Sequence, residues 1–228
     1  IVKDLKDPTA IRRSYAKNIL GRDPIGKPGE KFVYSNAGYA LLGHIAERIG
    51  KKPFETLLRD RVFKPLKLSS AVISEPGSPG SPGSSGQPYG HFAAGESFTP
   101  GLLQGPIQHM GAPAGLGVAL STPDMLQYLS WHLRGMKGSR VGTLLPETIQ
   151  RLHRPLNIIP GERPYASGWI VEGEGSQVSH AHMGSDGSFT CLMSIYPEED
   201  VAVVVFANAG VQDPVVDALQ SALQLIRK

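Results

Sequence analysis

The hydrophobic period of this chain changes once, and that change limits the fold more than any single residue does. From Asn36 to Ile49 the apolar residues Leu41, Leu42, Ile45 and Ile49 recur on one helical face, and Gly50 follows where a left-handed C-terminal cap belongs. Pro53 suits a first helical turn, Phe54, Leu58 and Val62 recur every fourth position, and Pro65 is expected to stop that run. From Phe189 the period falls to two: Phe189, Cys191, Met193 and Ile195 alternate with Thr190, Leu192, Ser194 and Tyr196. Val201 to Phe206 is continuously apolar, as a strand covered on both faces requires. A last helix gathers Val216, Leu219, Leu223 and Ile226 on one face and ends in Arg227-Lys228, which complements the helix dipole. Helices first, then antiparallel strands closed by a helix, imply an α+β fold. The chain reads as one domain, mostly helical lobe and loops over 1–160 and antiparallel strands plus a C-terminal helix over 161–228.

Local signals punctuate this plan. A short helix is expected around Ile11 to Leu20, then a turn at Lys27-Pro28-Gly29. Ser121-Thr122-Pro123-Asp124 combines a hydroxyl cap, a first-turn proline and a carboxylate at the positive end of the dipole, so a helix starts there and runs to Gly135. Another short helix follows Pro146 and reaches His153. Residues 74–90 are nearly all Gly, Ser and Pro and read as a flexible surface loop. A linker between two domains is the alternative, but the hydrophobic patterns on its two sides look unable to fold separately.

Composition narrows the function classes. The 228 residues are 40% hydrophobic and 19% charged, ordinary for a soluble globular protein. The net charge of +3 comes from 23 basic against 20 acidic residues without a Lys/Arg run to track a phosphate backbone, which argues against nucleic acid as a partner. Cys191 is the single cysteine, so no intrachain disulfide forms. No stretch approaches the roughly 20 apolar residues of a membrane span, and the N-terminus lacks a signal-peptide pattern. The first residues, Ile1-Val2-Lys3, suit a fragment or a processed product.

Three motifs carry chemistry. The segment Pro28-Gly29-Glu30-Lys31-Phe32-Val33-Tyr34-Ser35-Asn36-Ala37-Gly38-Tyr39 leads into the first apolar helix; Ser-Thr-x-x-Asp-Met stands at Ser121; and His180-Ala181-His182-Met183-Gly184-Ser185-Asp186-Gly187-Ser188-Phe189 stands at the strand-rich end. In this order and separation they resemble the Tyr-x-Asn region, the helix start and the His-x-Gly form of the Lys-Thr-Gly strand in serine β-lactamase-like proteins: class C β-lactamases, D-alanyl-D-alanine carboxypeptidases and related esterases. The resemblance covers most of the chain. It implies an antiparallel sheet flanked by helices with a helical lobe, incomplete at the N-terminus.

In that family a serine opens a helix, and a lysine three residues on faces the same side and helps take its proton. The resemblance makes Tyr34 the partner base, Asn36 the amide that holds substrate and lysine, and His182 a contact to the substrate carboxylate or leaving group opposite Tyr34. Gly184 leaves room for substrate along the strand, and the Ser185 backbone N–H supplies half of an oxyanion hole. A phenol near pKa 10 is a poor base unless cations favour its ionised form. The only Ser-x-x-Lys in the chain, Ser14-Tyr15-Ala16-Lys17, stands much closer to Tyr34 than the family spacing allows. The nucleophile segment is therefore expected upstream of Ile1, and the chain as it stands is expected to lack acyl transfer.

Plainer readings stand beside these. Tyr-Ser-Asn before an apolar helix is also a capping sequence, with Asn36 bonding free backbone donors, and a histidine beside a glycine-rich hairpin is often a turn residue. His180 and His182 share a strand face and could meet a metal with Asp186 or His109, but no ligand set is complete, so neither metal nor cofactor is expected. Trp131 and Trp169 read as core anchors and Tyr39 as helix packing. The expected function is a serine hydrolase forming an acyl-enzyme on a β-lactam, a D-Ala-D-Ala peptide or a small ester. The alternative is a non-catalytic binding protein or truncated remnant of the same fold. Relatives are often periplasmic or secreted, and the sequence itself leaves the compartment open.

Overall fold

The computed structural model describes residues 7–73, 88–94, 97–101, 117–156 and 163–227. They fall into two compact units, one built from Ile1–Gly86 with Gln104–Leu120 and the other from Gln87–Leu103 with Ser121–Lys228. Most of the expected Gly/Ser/Pro loop, residues 74–87, lies outside the described residues, as does His109.

The first unit is helical. Helix α1, Pro8–Leu20, starts ahead of the apolar pattern because the Asp7 carboxylate accepts the Thr9 N–H at 2.9 Å and Pro8 occupies the first turn. It packs on α2, Asn36–Gly50, around a buried charge cluster. Arg12 is 0% exposed and sends its guanidinium to Glu47 at 2.7 Å and to Glu55 at 2.8 Å. Glu47 also accepts the Thr9 hydroxyl at 3.2 Å and the Phe54 N–H at 3.0 Å. Burial works against both charges, but the hydrogen bonds to Glu55 and Glu47 hold Arg12 above its ordinary pKa, and those from Arg12 and the Phe54 backbone hold Glu47 below.

This cluster turns α2 away from the face its apolar pattern suggests. The buried positions are Ala40, Gly43 and Glu47, while Leu42 is 56% and Ile49 78% exposed. Gly50 is not the left-handed cap either: it stays helical, and Lys51 takes the left-handed position at φ 52°. The glycine serves close packing instead, since a Cβ at Gly50 would lie 2.7 Å from the Leu57 side chain.

Helix α3, Phe54–Leu58, continues through a π-turn over Arg59–Phe63 into α4, Lys64–Leu66. Pro65 therefore does not stop the run. The Lys64 N–H reaches back to the Arg59 carbonyl, and this wider turn accommodates the proline, which has no N–H to give. The run ends just beyond it, with Leu66 the last helical residue and Lys67 at φ 55°. Strand β1, Val72–Ile73, pairs antiparallel with Val118–Ala119, which is β4; between them in sequence, β2 (Gly90–Ala94) and β3 (Ser97–Gly101) belong to the second unit.

The second unit is a helix–sheet–helix sandwich. Strands β5 (Ile170–Glu172), β6 (Ser179–Ser185), β7 (Thr190–Tyr196) and β8 (Val201–Ala207) form an antiparallel sheet in chain order. Helix α5, Thr122–Met136, covers one face, with Leu129 and Leu133 against Ile195 and Trp169. Helix α7, Asp213–Ile226, covers the other, with Val215, Leu219 and Leu223 against Leu192, Tyr196 and Val203. Strand β8 feeds both clusters, Ala202 and Val204 to the first, Val201, Val203 and Val205 to the second, so its unbroken apolar run is used on both sides. Leu219 and Leu223 of α7 are buried as expected, while Val215 takes the place of Val216 and Ile226 is exposed.

Ser121 caps α5 as its sequence foretells, accepting the Asp124 N–H at 3.4 Å, and the helix closes at Met136, one residue past Gly135. Helix α6, Pro146–Leu152, is capped by His153. Gly90, the last residue of the expected loop, opens strand β2 (Gly90–Ala94), which pairs with β3 (Ser97–Gly101).

Candidate active site

The proposed site residues occupy two elements, one in each unit. In the first unit Tyr34 and Asn36 stand at the entry to α2. The cap of that helix is Ser35, whose hydroxyl accepts the Gly38 N–H at 3.0 Å. Asn36 is thus the first helical residue and not the cap, which corrects the plainer reading of this segment. Its side-chain carbonyl instead accepts the Tyr34 hydroxyl at 3.3 Å.

Two extended residues followed by a helix start put both side chains within reach of each other, and Tyr34 stays 51% exposed. Desolvation first, and the neighbouring Tyr39 second, push the Tyr34 phenol above its ordinary pKa. At neutral pH it is a hydrogen-bond donor. Ser14 lies in the second turn of α1, well past the helix start where the family's serine would stand, and Lys17 is exposed near the other end.

In the second unit His182, Gly184 and Ser185 sit on β6. The β7 register runs along β6 from His180↔Ile195 to Ser185↔Thr190, whereas the β5 register ends at Ile170↔Ala181, one residue before His182. The strand therefore outruns its neighbour over the three candidate positions. Among the described residues, a Cβ built on Gly184 would meet nothing within 4 Å. His182 lies opposite Met193, on the face that packs toward α5. Desolvation holds its imidazole below the ordinary histidine pKa, partly offset by a hydrogen bond with the Met183 backbone. It is neutral at pH 7.

Past Ser185 the chain reverses in a tight hairpin. Asp186 Oδ1 accepts the Ser188 N–H at 2.8 Å, the Ser188 hydroxyl at 3.0 Å and the Phe189 N–H at 2.7 Å, with Gly187 at φ 88°. The Ser185 hydroxyl donates to the Phe189 carbonyl at 2.8 Å and accepts the Gly187 N–H at 3.1 Å. Asp186 is therefore committed to the turn rather than to a metal, and no group of three or more His, Cys, Asp or Glu able to hold an ion occurs among the described residues.

Sequence reasoning missed one constellation. His132 on α5, His153 at the end of α6 and His180 on β6 are all buried and touch in a row. The His132 Nδ1 and His153 Nε2 atoms are 2.9 Å apart, and the His153 ring lies edge-on to His180 at 4.9 Å and beside Trp169 at 4.7 Å. Desolvation pulls His132 and His180 down to about 4, and His153 falls lower still because the other two histidines also face it. His180 thus points into the core rather than acting with His182. No sequence spacing announces this, because the three meet only through tertiary packing.

Residues 3–226 match the family model described as Beta-lactamase. "Protein flp" of Staphylococcus aureus (strain MW2) is 25% identical over 193 residues, which are 83% of this chain and 36% of that protein. The chain thus spans little more than a third of that relative's length. The crystal structure of SurE aligns with a TM-score of 0.78 at 22% identity, over 100% of this chain and 52% of SurE. A β-lactamase/D-alanine carboxypeptidase from Pseudomonas syringae aligns with a TM-score of 0.73 at 16% identity, over 91% of this chain and 63% of that one. The structural likenesses show a shared α+β fold of helices and antiparallel strands.

Proposed function

The chain belongs to the β-lactamase family, and from that premise we propose that the whole protein is a serine hydrolase acting through an acyl-enzyme on an amide or ester. The observation that carries this reading is the Tyr34–Asn36 hydrogen bond at the Ser35-capped start of α2, within a family match that also contains the Ser185-bearing strand. The substrate is a β-lactam, a D-Ala-D-Ala peptide or a small ester. The name of the Pseudomonas syringae neighbour, which joins the first two, favours the amide side.

The roles follow from the chemistry of each group. We assign the nucleophile to a Ser-x-x-Lys outside residues 1–228, since Ser14 stands inside α1. With Tyr34 as the phenolate, the serine oxygen bonds to the substrate carbonyl carbon while its proton passes to the Tyr34 oxygen, and the leaving amine or alkoxide takes that proton as its bond to carbon breaks, which returns the phenolate. Because its surroundings raise the Tyr34 pKa, the lysine of that motif supplies the cation that makes the phenol a usable base. Asn36 accepts from Tyr34 through its carbonyl oxygen while the phenol is protonated, and offers its amide to substrate and lysine. Neutral His182 meets the substrate through a hydrogen bond rather than a charge. The Ser185 N–H and the nucleophile's own N–H polarise the carbonyl.

The test takes the codons preceding Ile1, expresses the full-length protein and assays nitrocefin, p-nitrophenyl acetate and a D-Ala-D-Ala peptide, with fluorescent penicillin as a covalent label. Turnover or labelling that disappears when the motif serine becomes alanine supports the hydrolase. Absence of the motif, of all three activities and of labelling overturns it in favour of a binding protein on the same fold.

A further inference from the structure

We propose that His91 and the loop Asn208-Ala209-Gly210 are a positioning brace, which holds the β6–β7 hairpin so that the Ser185 backbone N–H keeps its aim at the reacting carbonyl. The proposal rests on the hydrolase reading above for its chemical purpose. Its geometry stands independently.

The hairpin already satisfies its own turn through Asp186 and the Ser185 hydroxyl. It is nevertheless tied from outside by a second layer of contacts. The His91 N–H donates to the Ser188 carbonyl at 3.0 Å, and the His91 carbonyl accepts the Gly210 N–H at 3.0 Å, so one residue bridges hairpin and loop. The His91 Nδ1 lies 2.7 Å from the Asn208 carbonyl oxygen. A carbonyl only accepts, so this nitrogen carries the hydrogen. Asn208 returns its amide to the Tyr89 carbonyl at 3.2 Å, and the Thr190 hydroxyl, at the base of the hairpin, donates to the Ala209 carbonyl at 2.9 Å.

Two glycines allow the parts to close. A Cβ on Gly90 would lie 2.6 Å from both the Phe189 ring and the Ser188 hydroxyl, and a Cβ on Gly210 would overlap the Gly187 carbonyl. These are backbone-to-backbone and backbone-to-ring approaches that no side chain can make. An oxyanion donor is effective only over a few tenths of an ångström in distance, so a hairpin free to drift would lose rate rather than binding.

The variants separate positioning from folding. Asparagine at 91 can place an amide N–H where His91 Nδ1 stands, whereas alanine cannot. In this chain, amide hydrogen exchange by NMR reads the hairpin directly. We expect His91→Ala to speed exchange at Asp186–Phe189 by about tenfold or more while α7 and β8 amides stay unchanged, and His91→Asn to restore the slow rates. In the full-length protein with p-nitrophenyl acetate, His91→Ala should lower kcat by about tenfold with KM within about twofold, and His91→Asn should recover most of it. Gly210→Ala, which pushes on Gly187 directly, should reproduce the alanine result. Unchanged hairpin exchange overturns the brace, and so does faster exchange without loss of kcat, a loss shared equally by KM, or no rescue by asparagine. If the wild-type protein turns over nothing, the hydrolase reading fails, and the exchange experiment alone decides whether the brace exists.

Discussion

The two units solve the same packing problem with opposite materials. The first buries a guanidinium between two carboxylates and leaves the apolar residues Leu42 and Ile49 of α2 in the open. The second sandwiches a sheet between two apolar clusters and, beside one of them, keeps three histidines uncharged. A buried ion pair contributes little net stability once desolvation is counted, but it punishes the loss of either partner. An apolar cluster contributes more and tolerates more. Unit one is therefore specified by a few atoms and unit two by area, and a charge introduced into the second meets no partner.

The largest effect should come from breaking the specified pair. Arg12→Ala leaves Glu47 and Glu55 without their shared cation and should cost about 3–5 kcal/mol in the first unit, measured as faster amide exchange in α1 and α2. Replacing all three members together by Met, Leu and Leu should recover most of that loss, which would confirm that the penalty lies in the orphaned charges.

Acid should act on the other unit. The histidines have folded pKa values below the unfolded 6.5, so the unfolded chain takes up protons first. Their contribution is complete above about pH 6.5 and is lost as pH falls from there toward about 4, below which His132 and His180 charge in the folded state too. The loss should be on the order of 3 kcal/mol for each of His132 and His180, at about 1.4 kcal/mol for each unit of lowering. Both tryptophans, Trp131 and Trp169, belong to this unit, so fluorescence-monitored urea melts at several pH values report it. A His132→Phe, His180→Phe double variant should flatten the profile.

A smaller and more even effect is expected at the helix starts. Ser35→Ala and Ser121→Ala should each cost about 1 kcal/mol, because both hydroxyls accept one N–H in the first turn. Smallest of all, Lys137→Ala removes a surface pair with Asp200 at 2.7 Å and should change stability by less than about 0.5 kcal/mol in denaturant melts.

Features were legible in the sequence where they are local. The start of α5 is set by four consecutive residues, and the alternation of β7 by its own pleat. Features failed to show where tertiary contact decides. Gly50 reads as a left-handed cap, yet it stays helical with Leu57 packed against it, and Lys51 takes the left-handed position. Pro65 looks like a stop, but the π-turn before it removes the need for its N–H. On α7 the expected Leu219 and Leu223 are buried, but at its start Val215 rather than Val216 packs into the sheet cluster. The candidate site divides in the same way. Tyr34 and Asn36 are neighbours in sequence and their side chains meet, whereas the histidine row joins α5, α6 and β6, and the His91 brace joins residues more than a hundred positions apart.

We propose that Tyr34, just ahead of α2, and His182 on β6 serve one reaction. A double-mutant cycle on kcat/KM for p-nitrophenyl acetate in the full-length protein tests it most directly. Tyr34→Phe and His182→Ala should each lower kcat/KM by about a hundredfold, and the double variant should fall well short of the product of the two losses. Losses that multiply, or a single variant with undiminished turnover, would contradict it.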